Sequence, residues 1–292
     1  ERKIQEPINK VTRKQKLKNY SKHPGSFLLA LLTKLAILLT VLALGFILIY
    51  ILVKGIPNLS TDLFALKYTT ENVSMLPAII NTLIITLLSL CIAGPIGIFS
   101  AIYLVEYAKK GNKLVEVVRV TAETLTGIPS IVYGLFGMLF FVTTLKCGYS
   151  ILAGALTLSI MVLPVIMRTT EEALLAVPNS FREGSFGLGA GKLRTIFKIV
   201  LPSAVPGILA GVILAIGRIV GETAALIYTA GTVAEIPSSI MSSGRTLAIH
   251  MYSLSKEGLY TNQAYATAVV LLIVVVLINM LSNFVAKKFT KK

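Results

Sequence analysis

Six apolar runs, at residues 35–53, 75–105, 123–145, 151–167, 203–230 and 264–286, leave this chain few ways to fold. A helix needs about 20 apolar residues to cross a bilayer, and each run approaches or exceeds that length. Only 14% of the residues are charged and 55% are hydrophobic. A soluble domain carries roughly 25% charged residues, so this surface cannot be clothed in water. The expected fold is all-α: a polytopic membrane protein with six transmembrane helices. Neither Cys91 nor Cys147 has a partner spacing that suggests a disulfide or a metal site, and both are expected to be buried thiols.

The charges between the runs orient them. Residues 1–26 hold eight Lys or Arg against two Glu, for +6, and residues 287–292 hold four Lys. The 106–119 and 168–198 stretches each carry +2. The alternate connections, 54–75, 146–150 and 231–262, carry 0, +1 and 0. Positive charge stays on the cytoplasmic side, so both termini and the 106–119 and 168–198 loops are assigned there. The expected organisation is a basic amino tail over 1–34, a permease domain over 35–286 and a basic carboxyl tail over 287–292. The first run has no small-residue cleavage site at its end and is read as a retained span, with Lys34 snorkelling at its inner end.

Several positions are expected to interrupt the helices. Pro95 follows Gly94 inside the second run, Gly127 and Pro129 lie inside the third, and Pro164 is near the end of the fourth. Proline removes a backbone donor and clashes with the preceding turn. These four residues are therefore candidates for breaks or gating points. Asn81 and Ser89 are expected to make helix–helix contacts. His23 and His250 are isolated in sequence and are assigned solvated or interfacial positions.

Arg218 and Glu222 stand out in the fifth run. Arg218 lies 16 residues past Pro202, roughly 24 Å along a helix. An arginine at mid-bilayer costs about 2.5–3.5 kcal/mol on insertion scales, so it should face protein or a polar cavity. Spacing of four residues puts Arg218 and Glu222 on one helical face. One reading is a structural ion pair. The other is an anion path in which Arg218 supplies several donors and Glu222 holds it. Gly217 and Gly221 leave room beside the arginine.

The 169–202 segment is the longest stretch of mixed polarity between runs, and apolar residues recur in it at roughly helical spacing. It is expected to form a pair of short amphipathic helices on the inner surface. Phe181, Phe186 and Leu188 can fill a partner's pocket, and Glu183 is expected near a helix start, where a carboxylate is favourable. The chain has no phosphate-cradling GxxxxGK[ST] motif, metal-ligand cluster or hydrolytic triad. It is read as a conduit whose engine lies elsewhere, and not as an enzyme.

Glu183-Gly184-Ser185, then Gly189 after three residues, then Ile199 and Leu201-Pro202 after nine more, resembles the "EAA" signature. That signature marks the inner-membrane subunits of binding-protein-dependent ABC importers. Gly184 and Ser185 stand where the signature has alanines, so small residues are retained. The segments TAETLTGIPSIVYGLFG at 121–137 and GRIVGETAAL at 217–226 narrow the resemblance to phosphate-specific permeases. The resemblance implies a type I importer fold with cytoplasmic coupling helices, and puts ATPase contact at 179–192, with Gly189 permitting the turn. It implies phosphate passage at Arg218 and Glu222. Implied partners are a homologous permease (PstC) in a heterodimer, two copies of the ATP-binding subunit PstB, and an external phosphate-binding protein. ATP and Mg would be held by the ATPase subunits, with no cofactor on this chain. A permease for sulfate, molybdate or phosphonate, and a membrane scaffold for phosphate signalling, are the rival readings.

Overall fold

The computed structural model describes residues 24–109 and 111–290. The amino tail through His23 and the last two lysines lie outside the described residues, as do the side chains beyond Phe284. The chain divides into two compact units, one ending at Val53 and the other running from Lys54. The first holds all but the last two residues of helix α1 (Pro24–Gly55), which is longer than its apolar run and continues through the Lys34 position. Its mean hydropathy of 3.0 suits a membrane span.

The second unit is helical throughout its core. Helix α2 (Leu76–Ile102) continues into a wide turn at Tyr103–Tyr107. Helix α3 (Lys113–Thr126) is followed by α4 (Ser130–Gly137), which continues as a wide-turn segment to Thr144. Helix α5 (Ile151–Leu175) precedes two short helices, α6 (Asn179–Gly187) and α7 (Lys192–Thr195). Through Ile196–Val200, α7 runs on into α8 (Leu201–Val220), and α9 (Ala224–Ile227) follows after a turn. Helix α10 (Leu247–Glu257) lies in the 231–262 connection, and α11 (Thr261–Thr290) is the last. Five of these helices are long and apolar enough to cross a membrane, and the α3–α4 pair brings the number to six if counted as one bent span.

Helix α5 is the post around which the unit packs. Its apolar window is 67% buried, against 44% for α2 and 28% for α11. Leu158, Met161, Val162 and Ile166 meet Ile85 of α2, Ile219 of α8 and Leu226 of α9 in one core. In lipid the hydrophobic effect does not drive helices together, so close packing and interhelical hydrogen bonds must do so. Ser89 Oγ donates to the Ala155 carbonyl at 3.2 Å, and Ser159 Oγ donates to the Ser89 carbonyl at 3.2 Å. Asn81 ties α2 to the connection between α9 and α10, donating to the carbonyls of Glu235 and Arg245 at 3.0 and 3.2 Å. Ser89 thus makes the expected helix–helix contact, while Asn81 holds a loop instead.

The predicted interruptions separate. Between α3 and α4 the chain turns by 105°, at Gly127-Ile128-Pro129. Pro129 caps the start of α4, where its missing N–H costs nothing. Gly134 then lets α4 approach α9, since a Cβ there would lie 2.8 Å from Ala225 Cα. By contrast, α2 runs through Pro95 and α5 through Pro164 without a break. Backbone groups freed in an apolar setting have no water to take them, which favours keeping the helix over unwinding it. Two loop assignments also change. Residues 113–119 belong to a helix capped by the Asn112 side chain, and 169–175 continue α5. Cys91 is exposed on the apolar outside of α2 and Cys147 is half-buried, because much of this protein's apolar surface faces outward.

His250 corrects the interfacial assignment. It is fully buried on α10, its ring edge-on to Tyr68 with centroids 6.2 Å apart. The Arg245 guanidinium stacks on the same tyrosine at 4.7 Å. Burial first, and the Arg245 charge second, push the His250 pKa down from 6.5 to about 3. The unfolded chain therefore binds a proton below pH 6.5 that the native chain refuses until about pH 3. Stability falls with acidification across that window, by about 1.4 kcal/mol per pH unit. Melting between pH 6.5 and 4.5 should show a loss of about 2–3 kcal/mol, and His250→Phe should remove that component.

Candidate functional site

Between α5 and α8 the chain presents α6 as a short, exposed helix tied firmly at its back. Arg182 points inward from it. Its Nε and Nη2 donate to Glu106 Oε1 at 3.0 and 2.7 Å, and its Nη1 and Nη2 donate to the carbonyls of Val177 and Leu174 at 2.8 and 2.9 Å. Both side chains are mostly buried, at 13% and 9% exposure, so this is an enclosed ion pair joining α6 to the ends of α2 and α5. The EAA signature does not include Arg182, and its only sequence signal is a lone arginine facing a lone glutamate at the end of an apolar run. Ser185 also turns inward, within 2.8 Å of the Thr195 hydroxyl, which fastens α6 to α7. Lys192 lies over the Tyr107 ring at 4.7 Å.

Outward, α6 leaves Phe181, Phe186 and Leu188 at 49%, 46% and 90% exposure, with Glu183 and Gly184 exposed beside them. Ser185 is the one member of the predicted coupling set that faces away from this surface. Glu183 is the fifth residue of α6, beyond its first turn, so the expected helix-start stabilisation does not apply. The helix ends as Gly189 predicts. Ala190 N–H donates to the Ser185 carbonyl at 3.1 Å and Gly189 N–H to Phe186 at 2.9 Å, with Gly189 at φ +80°. This is the paired closure of a helix by a left-handed glycine. Valine at 189 would meet no neighbour but would force a side chain into the left-handed region, at about 1–2 kcal/mol. Gly189→Val should therefore weaken co-purification with an ATPase subunit while leaving the melting of the membrane core nearly unchanged.

In the membrane, α8 stops at Val220, between the two predicted site residues. Gly221 N–H closes on Gly217 and Glu222 N–H on Ile219, and the chain then leaves the helix. Glu222 is buried, and its Oε1 accepts from Ala225 N–H at 3.0 Å, capping the start of α9. Arg218 and Glu222 therefore form no ion pair. The expected spacing of four fails because glycine is a poor helix former and the carboxylate satisfies the backbone beyond the break.

Arg218 is half-buried and lines a cavity of about 690 Å³ with Val165 of α5, Ile213, Leu214 and Gly217 of α8, and Asn279 and Asn283 of α11. Gly217 meets nothing within 4 Å of a Cβ position, so the predicted space beside Arg218 is present. Its depth follows from the packing of α5. Gly211 abuts Thr169 toward one end of α5, and Gly154 abuts Leu226 and Ala230 toward the other. Arg218 lies between these levels, inside the span. The two asparagines are polar residues in an apolar run, a signal the sequence carries but one easily lost among its Val, Leu and Ile.

A second cavity, of about 740 Å³, lies between α3 and α5. Two of its arginines are already matched: Arg119 meets Glu171 at 2.6 Å, and Arg168 meets Glu172 at 3.2 Å and Glu123 at 3.5 Å. Glu116 also lines it, so an anion would find carboxylates there and, among the described residues, none along the Arg218 cavity. Among the described residues, no group of three or more His, Cys, Asp or Glu could hold a metal ion.

A bundle of spans packs around α5, and a short amphipathic helix with exposed phenylalanines is fastened at its end. The chain matches the family described as "Binding-protein-dependent transport system inner membrane component" over residues 93–292, and it belongs to that family. It is 36% identical over 269 residues to the phosphate transport system permease protein PstA of Pasteurella multocida, covering 88% of this chain and 92% of that one. It is 32% identical over 261 residues to the probable ABC transporter permease protein YqgI of Bacillus subtilis, covering 83% and 88%. Among solved structures, a bacterial alginate ABC transporter in complex with its pentasaccharide-bound periplasmic protein has a chain with the same fold. Its TM-score is 0.67 at 17% identity, over 94% of this chain and 98% of that one. The type I importer permease fold and the multi-pass inner-membrane placement follow. The chain is a permease subunit and not an enzyme, and membership implies a cognate permease, an ATPase and a binding protein.

Proposed function

We propose that this chain forms half of the path by which an ATP-driven importer carries inorganic phosphate inward. One observation carries the reading: Arg218 lines a membrane cavity with no carboxylate paired to it, in a chain 36% identical to a phosphate permease over most of its length. A guanidinium presents planar, charge-assisted donors that suit a tetrahedral oxyanion. Glu222 contributes by holding the turn that follows Arg218, away from the anion it would otherwise repel.

In this reading the other half is a homologous permease of PstC type. Two PstB-type ATPases lie beneath the pair, and a phosphate-binding protein docks outside against 54–75 and 231–262. Both termini are cytoplasmic in this reading, on the side where the chain's positive charge concentrates. ATP closes the ATPase dimer and draws on 179–192 through Phe181, Phe186 and Leu188, with Glu183 and Gly184 at the rim of that contact. Ser185 and Gly189 hold the shape of the segment. Differential binding of the ATP-closed dimer to the outward-facing state shifts the permease toward it. Gly127 and Pro129 supply the bend at which α4 can swing, while Pro95 and Pro164 supply weaker points in otherwise continuous helices. Phosphate meets Arg218 and is released inward on hydrolysis.

The test is uptake by the complete assembly in proteoliposomes, with radiolabelled phosphate competed by sulfate, molybdate or phosphonate. ATP-dependent uptake that only phosphate displaces supports the proposal. Preferential uptake of another oxyanion, or ATPase docking with no solute movement, contradicts it.

A further inference from the structure

Resting on the phosphate reading of the Arg218 cavity, we propose that Asn279 and Asn283 complete the anion path, supplying from α11 the hydrogen-bond acceptors that Arg218 lacks. Both residues line the same cavity as Arg218. Spaced by four within α11 (Thr261–Thr290), they occupy one face of that helix, a turn apart. No side-chain hydrogen bond or ion pair joins Arg218, Asn279 or Asn283 to any described residue. A carboxamide in an apolar span is costly unless bonded, and in most bundles it bonds to a neighbouring helix. Among the described residues neither asparagine has such a partner, and both open onto a cavity that already holds a cation.

The chemistry of the ligand explains the pairing. At neutral pH inorganic phosphate keeps at least one P–O–H while bearing negative charge, so it must donate as well as accept. Arginine has five N–H donors and no acceptor. An asparagine carbonyl accepts the P–O–H without the charge that would make a carboxylate repel the anion, and its amide adds two donors. With Arg218 on α8 and the two carboxamides on α11, an anion in the cavity can be held from two helices. Movement of one helix past the other would then loosen the hold and allow release.

The experiment uses the full complex in proteoliposomes, with radiolabelled phosphate presented by the loaded binding protein. Asn279→Leu/Asn283→Leu removes both carboxamides at similar volume, and Asn279→Ser/Asn283→Ser keeps a donor and an acceptor at each site. The Leu pair should lower maximal uptake about tenfold, with the half-saturating phosphate concentration unchanged because the binding protein sets capture. Co-purification of the partner permease should persist, and the Ser pair should recover at least half of the lost uptake. Uptake by the Leu pair within twofold of the wild type would overturn the inference. So would equal loss in the Leu and Ser pairs, which indicates packing, or loss of the partner permease from both, which indicates a subunit contact. Arg218→Ala, measured in parallel, separates the two levels. If it stops uptake while the Leu pair does not, only the asparagine role fails; if it transports normally, the phosphate reading of the cavity fails with it.

Discussion

Arg218→Ala should lower ATP-dependent phosphate uptake about 10- to 100-fold, the factor equivalent to losing 1.5–3 kcal/mol of hydrogen bonding to a charged group. Assembly should survive, because Arg218 anchors nothing: Glu222 is engaged with Ala225 N–H, and the helix ends on backbone bonds from Gly221 and Glu222. Removing a guanidinium that has no intramolecular partner spares the fold the cost of an orphaned carboxylate. Arg218→Lys should recover only part of the flux, since an ammonium keeps the charge but loses the planar fork. Uptake in proteoliposomes, with co-purified subunit ratios as the control, is the measurement. A variant that assembles and transports at the wild-type rate would remove Arg218 from the path.

The second large effect lies at the other end of the molecule. Arg182→Ala leaves Glu106 enclosed without its partner and frees the carbonyls of Leu174 and Val177. Breaking an enclosed ion pair from one side costs about 3–5 kcal/mol, mostly as the penalty of the charge left behind. Because this pair joins α6 to α2 and α5, its loss should also disconnect the ATPase from the spans. Transport is expected to fall more than tenfold, while ATP hydrolysis by the assembled complex continues without stimulation by loaded binding protein. The double variant Arg182→Met/Glu106→Gln should regain at least half of the lost thermal stability, since no buried charge remains, yet stay uncoupled. Normal coupling in the single variant would show that α6 transmits force by another contact.

Much of this arrangement is legible in the sequence because lipid imposes strong rules. Run length foretells the spans, and the spacing and Gly189 of the 169–202 segment foretell short helices with a left-handed stop. The failures have a common cause. Helix continuity depends on where freed backbone groups find partners, which a proline or glycine alone does not reveal. Pro95 and Pro164 are absorbed into continuous helices, whereas α8 ends at Val220 with no proline at its end. That ending undoes the spacing argument for Arg218 and Glu222. Arg182, Asn279 and Asn283 are hidden for a different reason: their significance comes from residues that tertiary structure brings near, 76 positions away in the case of Glu106.

The central claim is that this chain is a gate without its own motor, driven from its inner face. It is tested most directly by loading proteoliposomes with this subunit and its cognate permease, with the ATPase subunits either present or omitted. With loaded binding protein outside and ATP inside, phosphate should accumulate against its gradient only when the ATPases are present. Uphill accumulation by the permease pair alone would contradict the account.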